Sequence, residues 1–263
     1  MRSDSPIKPE AMVRKIYRKL SRAWGAQHWW PAETPFEVIV GAILTQNTSW
    51  TNVERALGKL REAKILTVEG IRTVPLAELE QLVRSSGYFR QKAERLKNFV
   101  RYLDATHDGS LEKMFATPTE QLRKELLALK GIGHETADAI LLYAGKHDIF
   151  VVDAYTRRIL LRHEAIRSDA KYNEIRVLIE RALRRESYRQ AVATGPTPEK
   201  FSVHEPSVMS QSSRGPLAQV FNEIHGLLVQ AGKHYCWKAA PKCQNCPLRA
   251  LLPAGAVVQR ESA

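Results

Sequence analysis

A short glycine turn between two apolar helical segments has the composition of a phosphate-binding site. Residues 126–129 close the first segment, Gly131-Ile132-Gly133 forms the turn, and the second segment begins at His134. Glycines let backbone N–H groups approach a ligand closely, and the unpaired N–H groups at a helix N-terminus attract anions. The same pattern is also typical of a tight connection in an all-helical protein. The turn therefore predicts either a phosphate-binding hairpin or a plain helical connection.

The three cysteines of the chain form a second group with chemistry of its own. Cys236, Cys243 and Cys246 lie within eleven residues near the C-terminal end. An odd, clustered set in a chain without an apparent secretory signal favours a metal site over disulfide bonds.

The chain is strongly basic. Its 263 residues include 40 Lys and Arg against 28 Asp and Glu, which gives a formal charge of +12 and a pI near 9.7. This balance predicts a polyanionic partner, most often nucleic acid, although charge alone leaves an anionic membrane or an acidic protein surface open. No apolar run reaches the ~20 residues of a membrane span, so we expect a cytoplasmic protein without membrane attachment.

Apolar residues recur at helical spacing along most of the chain, and no long strand pattern interrupts them. The predicted helices span residues 6–24, 36–44, 76–83, 88–103, 119–129, 134–143, 169–183 and 217–228. Two more begin at capping residues, one at Asn47 or Thr48 and one at Asp153. Residues 187–215 are rich in Pro, Ser and Thr, which indicates an exposed, mobile insertion. The sequence therefore predicts an all-α protein.

Two polar or aromatic sites each allow two interpretations. Trp29 and Trp30 lie in a turn segment, where they could plug a core or form an aromatic wall for a flat ligand. Gln46 follows an apolar run, where its amide could satisfy a turn or hydrogen-bond base edges in a nucleic-acid helix.

The glycine turn matches a known signature when it is combined with Asp153, which follows Glu135 by eighteen residues. With residues 36–48, residues 88–96 and the cysteine loop, the sequence resembles the endonuclease III family of base-excision DNA glycosylases. Members of that family share a helix-hairpin-helix and a Gly/Pro…Asp signature. The resemblance covers most of the chain.

This resemblance implies two helical domains. Residues 34–148 would form a six-helix barrel with the hairpin, and residues 1–33 with 149–263 would form a second domain with the cysteine loop and the 187–215 insertion. The substrate base would be flipped into the cleft between them, because the N-glycosidic bond is inaccessible in a stacked pair. The expected partner is double-stranded DNA containing damaged bases, bound by a nucleoid-associated monomer.

The resemblance also assigns roles to individual residues. Asp153 would be the catalytic carboxylate, which stabilises the oxocarbenium-like sugar and aligns or deprotonates the attacking water. A simple helix N-cap is the alternative, and the two roles can coexist. The residues expected to contact DNA are Gln46, Gly131, Ile132, Gly133, His134 and Thr136.

Glu135 departs from part of the family. Members that also cleave the strand have a lysine at this position, which forms a Schiff base with the sugar, and a carboxylate cannot do so. The sequence therefore predicts a monofunctional glycosylase with weak or absent lyase activity.

Residues 28–31, 44–48 and 131–138 are most similar to the 3-methyladenine glycosylase branch of the family. This similarity implies a base pocket formed by Trp29, Trp30 and Glu135. A cationic N-alkylpurine would gain about 1–2 kcal/mol from stacking on indole rings. The alternatives are a glycosylase for oxidised or mismatched bases and a non-catalytic protein that binds damaged DNA.

The cysteine loop is a second departure. Cys236, Cys243 and Cys246 match three of the four ligands of the family's [4Fe–4S] loop, but the fourth position is Leu252. The outcomes left open are a cluster completed by a non-cysteine ligand, a three-iron cluster and a loop without a cluster. His234 is one conceivable replacement for the missing ligand.

Overall fold

The structure, a computed structural model, describes residues 8–184 and 206–253, and the regular elements in these ranges are all helices. The prediction of an all-α protein is confirmed. The α-helices are α1 (Pro9–Trp24), α2 (Pro35–Leu44), α3 (Trp50–Glu62), α4 (Val68–Thr73), α5 (Leu76–Leu82), α6 (Phe89–His107), α7 (Leu111–Phe115), α8 (Thr119–Ala128), α9 (His134–Ala139), α10 (Ala154–Arg162), α11 (Tyr172–Leu183), α12 (Val208–Gln211) and α13 (Pro216–His234). A π-helical turn, Ile140–Ala144, continues α9, and 3-10 turns span Arg84–Ser86, Cys243–Asn245 and Arg249–Leu251.

The described residues divide into two units. The first, here called the hairpin unit, comprises Ala32–His147 and Ser207–Ser212. The second, here called the discontinuous unit, comprises the described parts of Met1–Pro31, Asp148–Pro206 and Ser213–Ala263. Segments from before and after the hairpin unit therefore fold together, and each unit is described separately below.

Helix α2 lies in the core of the hairpin unit because its residues are apolar on all sides except at Glu37. All residues from 36 to 44 are buried. The hydroxyl of Thr34 accepts the Glu37 N–H at 3.1 Å, and Pro35 occupies the first turn, where a missing N–H costs little. The helix packs against α3, α6 and the π-helical turn. The turn at 45–48 therefore begins at the end of a rigid, buried helix.

Helix α13 lies in the core of the discontinuous unit, as α2 does in the hairpin unit. Residues 220–232 are all buried, and the helix packs against α1, α10 and α11. Polar side chains on a helix that is buried all around need hydrogen-bond partners or a functional role. The polar side chains in question are Asn222, Glu223, His225 and Gln230.

The helix boundaries differ from the predicted ones at several places. Asn47 has a left-handed backbone with φ 54°, so the chain is still turning there and α3 starts only after Ser49; the predicted cap at Asn47 or Thr48 is wrong. Helix α6 continues to His107 and ends at Asp108, another left-handed residue. The predicted helix 134–143 is α-helical only to Ala139.

The prediction of an exposed, mobile insertion at residues 187–215 is partly corrected by the structure. Residues 187–205 lie outside the described residues, but residues 206–215 contain the short helix α12 with a buried Met209. The Met209 N–H donates to the Ala32 carbonyl at 3.0 Å, and the Ser207 hydroxyl accepts the Ala32 N–H at 3.1 Å. These bonds place α12 in the hairpin unit, although it was predicted to be an exposed part of the other domain.

None of the helices in the two described ranges has the length and apolar character that crossing a bilayer requires.

Candidate functional site

The two glycines of the hairpin turn have different structural roles. Gly131 has φ 87°, and a Cβ there would clash with the Arg95 side chain. The fold therefore requires glycine at this position. Gly133 has an ordinary extended backbone, and its Cβ would meet no atom of the described residues within 4 Å. Glycine at position 133 leaves room for a group from outside the unit.

A buried ion pair fastens the two helices of the hairpin together. Arg123 on α8 donates to both carboxylate oxygens of Asp138 on α9, at 2.6 and 3.1 Å. Asp138 is completely buried, and Nη2 of Arg123 also lies 3.2 Å from Nδ1 of His134. The first turn of α9 is therefore tied to α8 by side chains as well as by the glycine turn.

The structure brings Gln46 and the hairpin together. The Gln46 amide donates to the Gly131 carbonyl at 3.0 Å and to the Thr136 hydroxyl at 2.8 Å, and its oxygen accepts from Arg95. Both ends of the amide are thus used inside the unit, which is the turn-amide interpretation of Gln46. Gln46 and Thr136 would have to exchange these bonds to contact DNA through the same atoms. Gly133 and His134 are exposed, whereas Ile132 is buried.

Lys92 and Arg95, both on α6, were missed as members of this network. Lys92 is buried, and its ammonium donates to the carbonyls of Leu44 at 2.9 Å and Ser86 at 2.5 Å. Burial, with a smaller effect of nearby Arg95, lowers the pKa of Lys92 to about 8. The signal in the sequence is that Lys92 shares the apolar face of α6 with Leu96, one turn later. Lys92 fastens the end of α2, from which the Gln46 turn continues.

Asp153 is the N-cap of α10, as predicted. Its Oδ1 accepts the Thr156 N–H at 2.7 Å, and its Oδ2 lies 3.7 Å from Nε2 of His225 on α13. The side chain is only 10% exposed. One carboxylate oxygen is therefore fixed by the cap, and the other faces a histidine that the sequence did not identify.

His225 lies among aromatic rings. Its ring centroid is 6.3 Å from that of Trp29 and 6.0 Å from that of Phe150. Burial lowers the pKa of His225, and the nearby Asp153 carboxylate opposes this effect only in part. A neutral histidine beside Asp153 does not compensate the negative charge of the carboxylate. The carboxylate needs this negative charge to stabilise a cationic sugar.

Trp29 and Trp30 are both buried in the discontinuous unit, with ring centroids 5.8 Å apart in an edge-to-face arrangement. Trp29 packs on α13 at Gly226, where a Cβ would come within 3.1 Å of the Trp29 Cβ. The ammonium of Lys233 lies 5.9 Å from the Trp29 ring centroid. The structure thus groups both tryptophans with His225 and Asp153. Glu135, the third predicted pocket residue, is exposed on the first turn of α9 in the hairpin unit.

A buried carboxyl group fixes the segment that leads to the tryptophans. Glu223 on α13 is 3% exposed, and its Oε2 accepts the Gln27 N–H at 2.8 Å. Burial raises the pKa of Glu223 to about 7, against the opposing effects of the Gln27 N–H and Arg214. The group is therefore close to half-protonated near neutral pH.

We expect Glu223 to make the protein less stable as the pH rises from about 4.5 to 7. The pKa of Glu223 is about 7 in the folded protein and 4.5 in the unfolded chain. Between these two pH values the unfolded chain has released the proton that the folded protein keeps. The loss reaches about 3 kcal/mol above pH 7. Glu223→Gln should remove this pH-dependent loss of stability. Urea unfolding of both proteins from pH 4.5 to 8.5 would measure the difference. Equal pH dependence in both proteins would contradict the expectation.

The three cysteines line one cavity of the discontinuous unit together with Leu252, the residue at the predicted fourth position. Nη1 of Arg162 donates to the Cys236 sulfur at 2.9 Å. Burial raises the pKa of the Cys236 thiol, and it raises that of Cys246 to about 11. His234 is exposed, does not line this cavity, and has its Nε2 3.1 Å from the Gln230 side-chain oxygen. The structure gives His234 no place among the cavity-lining residues.

Comparisons with known proteins identify the family of the chain. The HhH-GPD superfamily of base excision DNA repair proteins matches residues 40–185, more than half of the chain. A provisionally named DNA repair glycosylase of Methanocaldococcus jannaschii is 39% identical over 240 residues, which cover 90% of this chain and 94% of the relative. Endonuclease III of Thermotoga maritima is 26% identical over 239 residues, which cover 90% of this chain and 91% of the relative.

Solved structures show the same likeness. The H. pylori 3-methyladenine DNA glycosylase MagIII, bound to 1,N6-ethenoadenine, has a TM-score of 0.65 and 28% identity, covering 86% of this chain and 98% of its own. A trapped covalent endonuclease III–DNA intermediate has a TM-score of 0.67 and 22% identity, covering 92% and 95%, and it shows the shared fold. The family resemblance is confirmed: the chain belongs to the HhH-GPD superfamily and is a base-excision-repair DNA glycosylase with an endonuclease III-like fold.

Proposed function

We propose that the protein is a monofunctional DNA glycosylase that hydrolyses the N-glycosidic bond of a flipped, alkylated purine. The observation that carries the proposal is Asp153, whose Oδ1 is fixed by the Thr156 N–H and whose Oδ2 faces a buried His225. A fixed, poorly solvated carboxylate stabilises an oxocarbenium-like sugar and orients a water molecule without first having to reorganise.

Glu135 supports hydrolysis by water over a covalent mechanism. It lies on the first turn of α9, directly after the glycine turn. A carboxylate cannot form the Schiff base from which strand cleavage proceeds, so the product would be an abasic site in an intact strand.

An alkylated purine is supported by the aromatic residues and by one relative. Trp29 lies next to both Trp30 and His225, and His225 in turn faces Asp153. The H. pylori enzyme, which is 28% identical, is a 3-methyladenine glycosylase and was solved with an ethenoadenine base. An N-alkylated purine is electron-poor, and its stacking on an indole ring would favour it over an undamaged base. The competing substrate class is oxidised or mismatched bases.

A panel of lesion duplexes tests both parts of the proposal. Duplexes with 3-methyladenine, 1,N6-ethenoadenine, a uracil or thymine mismatch, or an oxidised pyrimidine would be incubated with the full chain. Base release is measured as strand breakage after hot alkali, and lyase activity as breakage without it. We expect release of the alkylated purines without direct breakage. Preferential release of another base would reject the substrate class. Covalent trapping of the protein on DNA by borohydride would reject the monofunctional mechanism. Binding of the lesion duplexes without release of any base would reject catalysis.

The two hairpin glycines provide a matched test of DNA binding. Gly133→Ala should leave the fold intact, because its Cβ meets no described atom, but the added methyl should obstruct a phosphate at the turn. Loss of one hydrogen bond to a charged group would weaken DNA binding by about tenfold or more. Fluorescence anisotropy with a labelled duplex would measure this.

Two further variants are the controls for this prediction. Gly58→Ala in α3 also adds a Cβ that meets no described atom, and it should bind DNA like the wild type. Gly131→Ala should destabilise the fold, because its φ is 87° and Arg95 occupies the space. Unchanged affinity in Gly133→Ala would show that the turn does not contact the phosphate.

A further inference from the structure

The cysteine loop of this chain does not fit the cluster that the family pattern implies. Leu252, at the position of the fourth ligand, lines the cavity with the three cysteines, and its methyl groups cannot bind iron. Within residues 8–184 and 206–253, no three Cys, His, Asp or Glu side chains are placed to hold one metal ion. The cavity has a volume of about 10 Å³, at most the space of one water molecule. A cluster of several iron and sulfide ions does not fit into this space.

Two of the three cysteine sulfurs accept hydrogen bonds from the protein. Nη1 of Arg162 donates to the Cys236 sulfur at 2.9 Å, and the Leu248 N–H donates to the Cys246 sulfur at 3.4 Å. Arg162 also lines the cavity, so its guanidinium takes up space beside the sulfurs. The first cysteine of the loop is therefore bonded to an arginine at the place where a cluster would need its sulfur.

The histidine at this cavity does not supply the missing ligand. His163 lines the cavity and is 5% exposed. Its Nδ1 donates to the Ile159 carbonyl at 2.8 Å, and the Leu248 carbonyl faces the other ring nitrogen. Both nitrogens are thus directed at backbone oxygens, which leaves neither for a metal. Among the residues that line the cavity, no side chain takes the place of the fourth cysteine.

Direct contacts within the protein close the loop instead. The Lys242 N–H donates to the Tyr235 carbonyl at 2.8 Å, and the indole N–H of Trp237 donates to the Lys233 carbonyl at 2.7 Å. The Lys242 ammonium lies 4.3 Å from the Trp237 ring centroid, within the range of a cation–π contact. These contacts connect the two ends of residues 233–242, so this part of the loop has a defined path without a metal.

Two arginines on α10 hold the loop against the rest of the discontinuous unit. Nε of Arg158 donates to the Cys236 carbonyl at 2.5 Å, and both Nη atoms of Arg162 donate to the Trp237 carbonyl, at 3.3 and 3.4 Å. Because they are four residues apart, the two side chains lie on the same face of the helix. Hydrogen bonds from a charged donor are about twice as strong as neutral ones. The helix that begins at Asp153 therefore also holds the cysteine loop.

We propose that the cysteine loop of this chain folds without an iron–sulfur cluster and that Arg158 and Arg162 fasten it to α10 instead. The chain keeps three cysteines of the family pattern, but they line a small cavity that they share with arginine and apolar side chains. The stability of the loop then depends on hydrogen bonds from α10 and not on bound iron.

Iron analysis tests the absence of a cluster. The full chain would be purified and reconstituted with iron and sulfide without oxygen, desalted, and analysed for iron, labile sulfide and visible absorbance. We expect no more iron than in the triple variant Cys236→Ala, Cys243→Ala, Cys246→Ala. A four-cysteine ferredoxin treated alongside shows that the procedure builds clusters. Urea unfolding of the wild type should be the same before and after incubation with an iron chelator.

The variant Arg162→Met tests what holds the loop. It removes the bonds to the Cys236 sulfur and the Trp237 carbonyl, so we expect the equilibrium constant of folding to fall about tenfold or more. Urea unfolding would measure this fall, and hydrogen exchange at the Lys242 amide should become faster. The control Arg167→Met changes an exposed arginine whose ion-pair partner is Asp169, and it should match the wild type.

Three outcomes would overturn the proposal. Labile sulfide with about three or four iron atoms per wild-type chain would show a cluster. Lower stability after chelation would show that a metal holds the loop. Equal stability and equal exchange in Arg162→Met and Arg167→Met would show that Arg162 does not fasten it. If Arg162→Met does not fold, Arg162→Lys, which keeps the charge but lacks the planar fork, decides this point through exchange at Lys242. No measurement involves DNA, so the result is independent of the proposed substrate.

Discussion

Replacing Asp153 with asparagine is expected to lower the rate of base release by about 10²–10⁴-fold, the usual contribution of a positioned acid–base group. Asparagine has almost the same shape and removes the negative charge that would stabilise the sugar cation. It is also one of the best N-cap residues, so the Thr156 N–H keeps an acceptor and α10 keeps its start. Single-turnover base release on the preferred lesion, with DNA affinity measured in parallel, separates loss of catalysis from loss of binding.

Two variants control for the capping role. Asp153→Ala removes both the charge and the cap, so it should lose the same activity and in addition about 0.5–2 kcal/mol of stability. Asp169→Asn changes an exposed aspartate whose ion-pair partner is Arg167, and it should retain full activity. If Asp153→Asn released bases at the wild-type rate, Asp153 would be only a helix cap.

Local signals in the sequence were enough for most of the helices, the hairpin and the cap. Helical periodicity gave the positions of α1 and α6, because one turn of apolar residues predicts the next. Asp153 was recognised as an N-cap from its own residue type and the helix that follows. These features depend on neighbours within one or two turns of the chain.

The partners of the site residues could not be predicted in the same way. His225 meets Asp153 only because α10 and α13 pack together, and the sequence separation carries no trace of that contact. Arg95 reaches Gln46 across 49 positions, and this contact occupies the oxygen of the Gln46 amide. The sequence does show polar residues on otherwise apolar helix faces, such as Lys92 and His225. This pattern indicates that the residue has a buried partner, but it does not identify the partner.

The buried pair of Arg123 and Asp138 is the second place where a single change should have a large effect. Asp138→Ala leaves the Arg123 guanidinium buried without its carboxylate, which costs about 3–5 kcal/mol when a buried pair is broken. The loss should open the hairpin, because the pair connects α8 to α9. Amide hydrogen exchange across both helices would locate the loss, and urea unfolding would give its size.

The neighbouring charges decide how this loss is interpreted. His134 also lies near the guanidinium, at 3.2 Å, but a histidine cannot replace a bidentate carboxylate. Asp169→Ala breaks an exposed pair and should cost less than about 1 kcal/mol. Arg123→Met combined with Asp138→Leu removes both charges and should recover much of the stability, since apolar residues often replace a buried pair at little cost. If Asp138→Ala were no more destabilising than Asp169→Ala, the glycine turn and apolar packing alone would set the geometry of the hairpin.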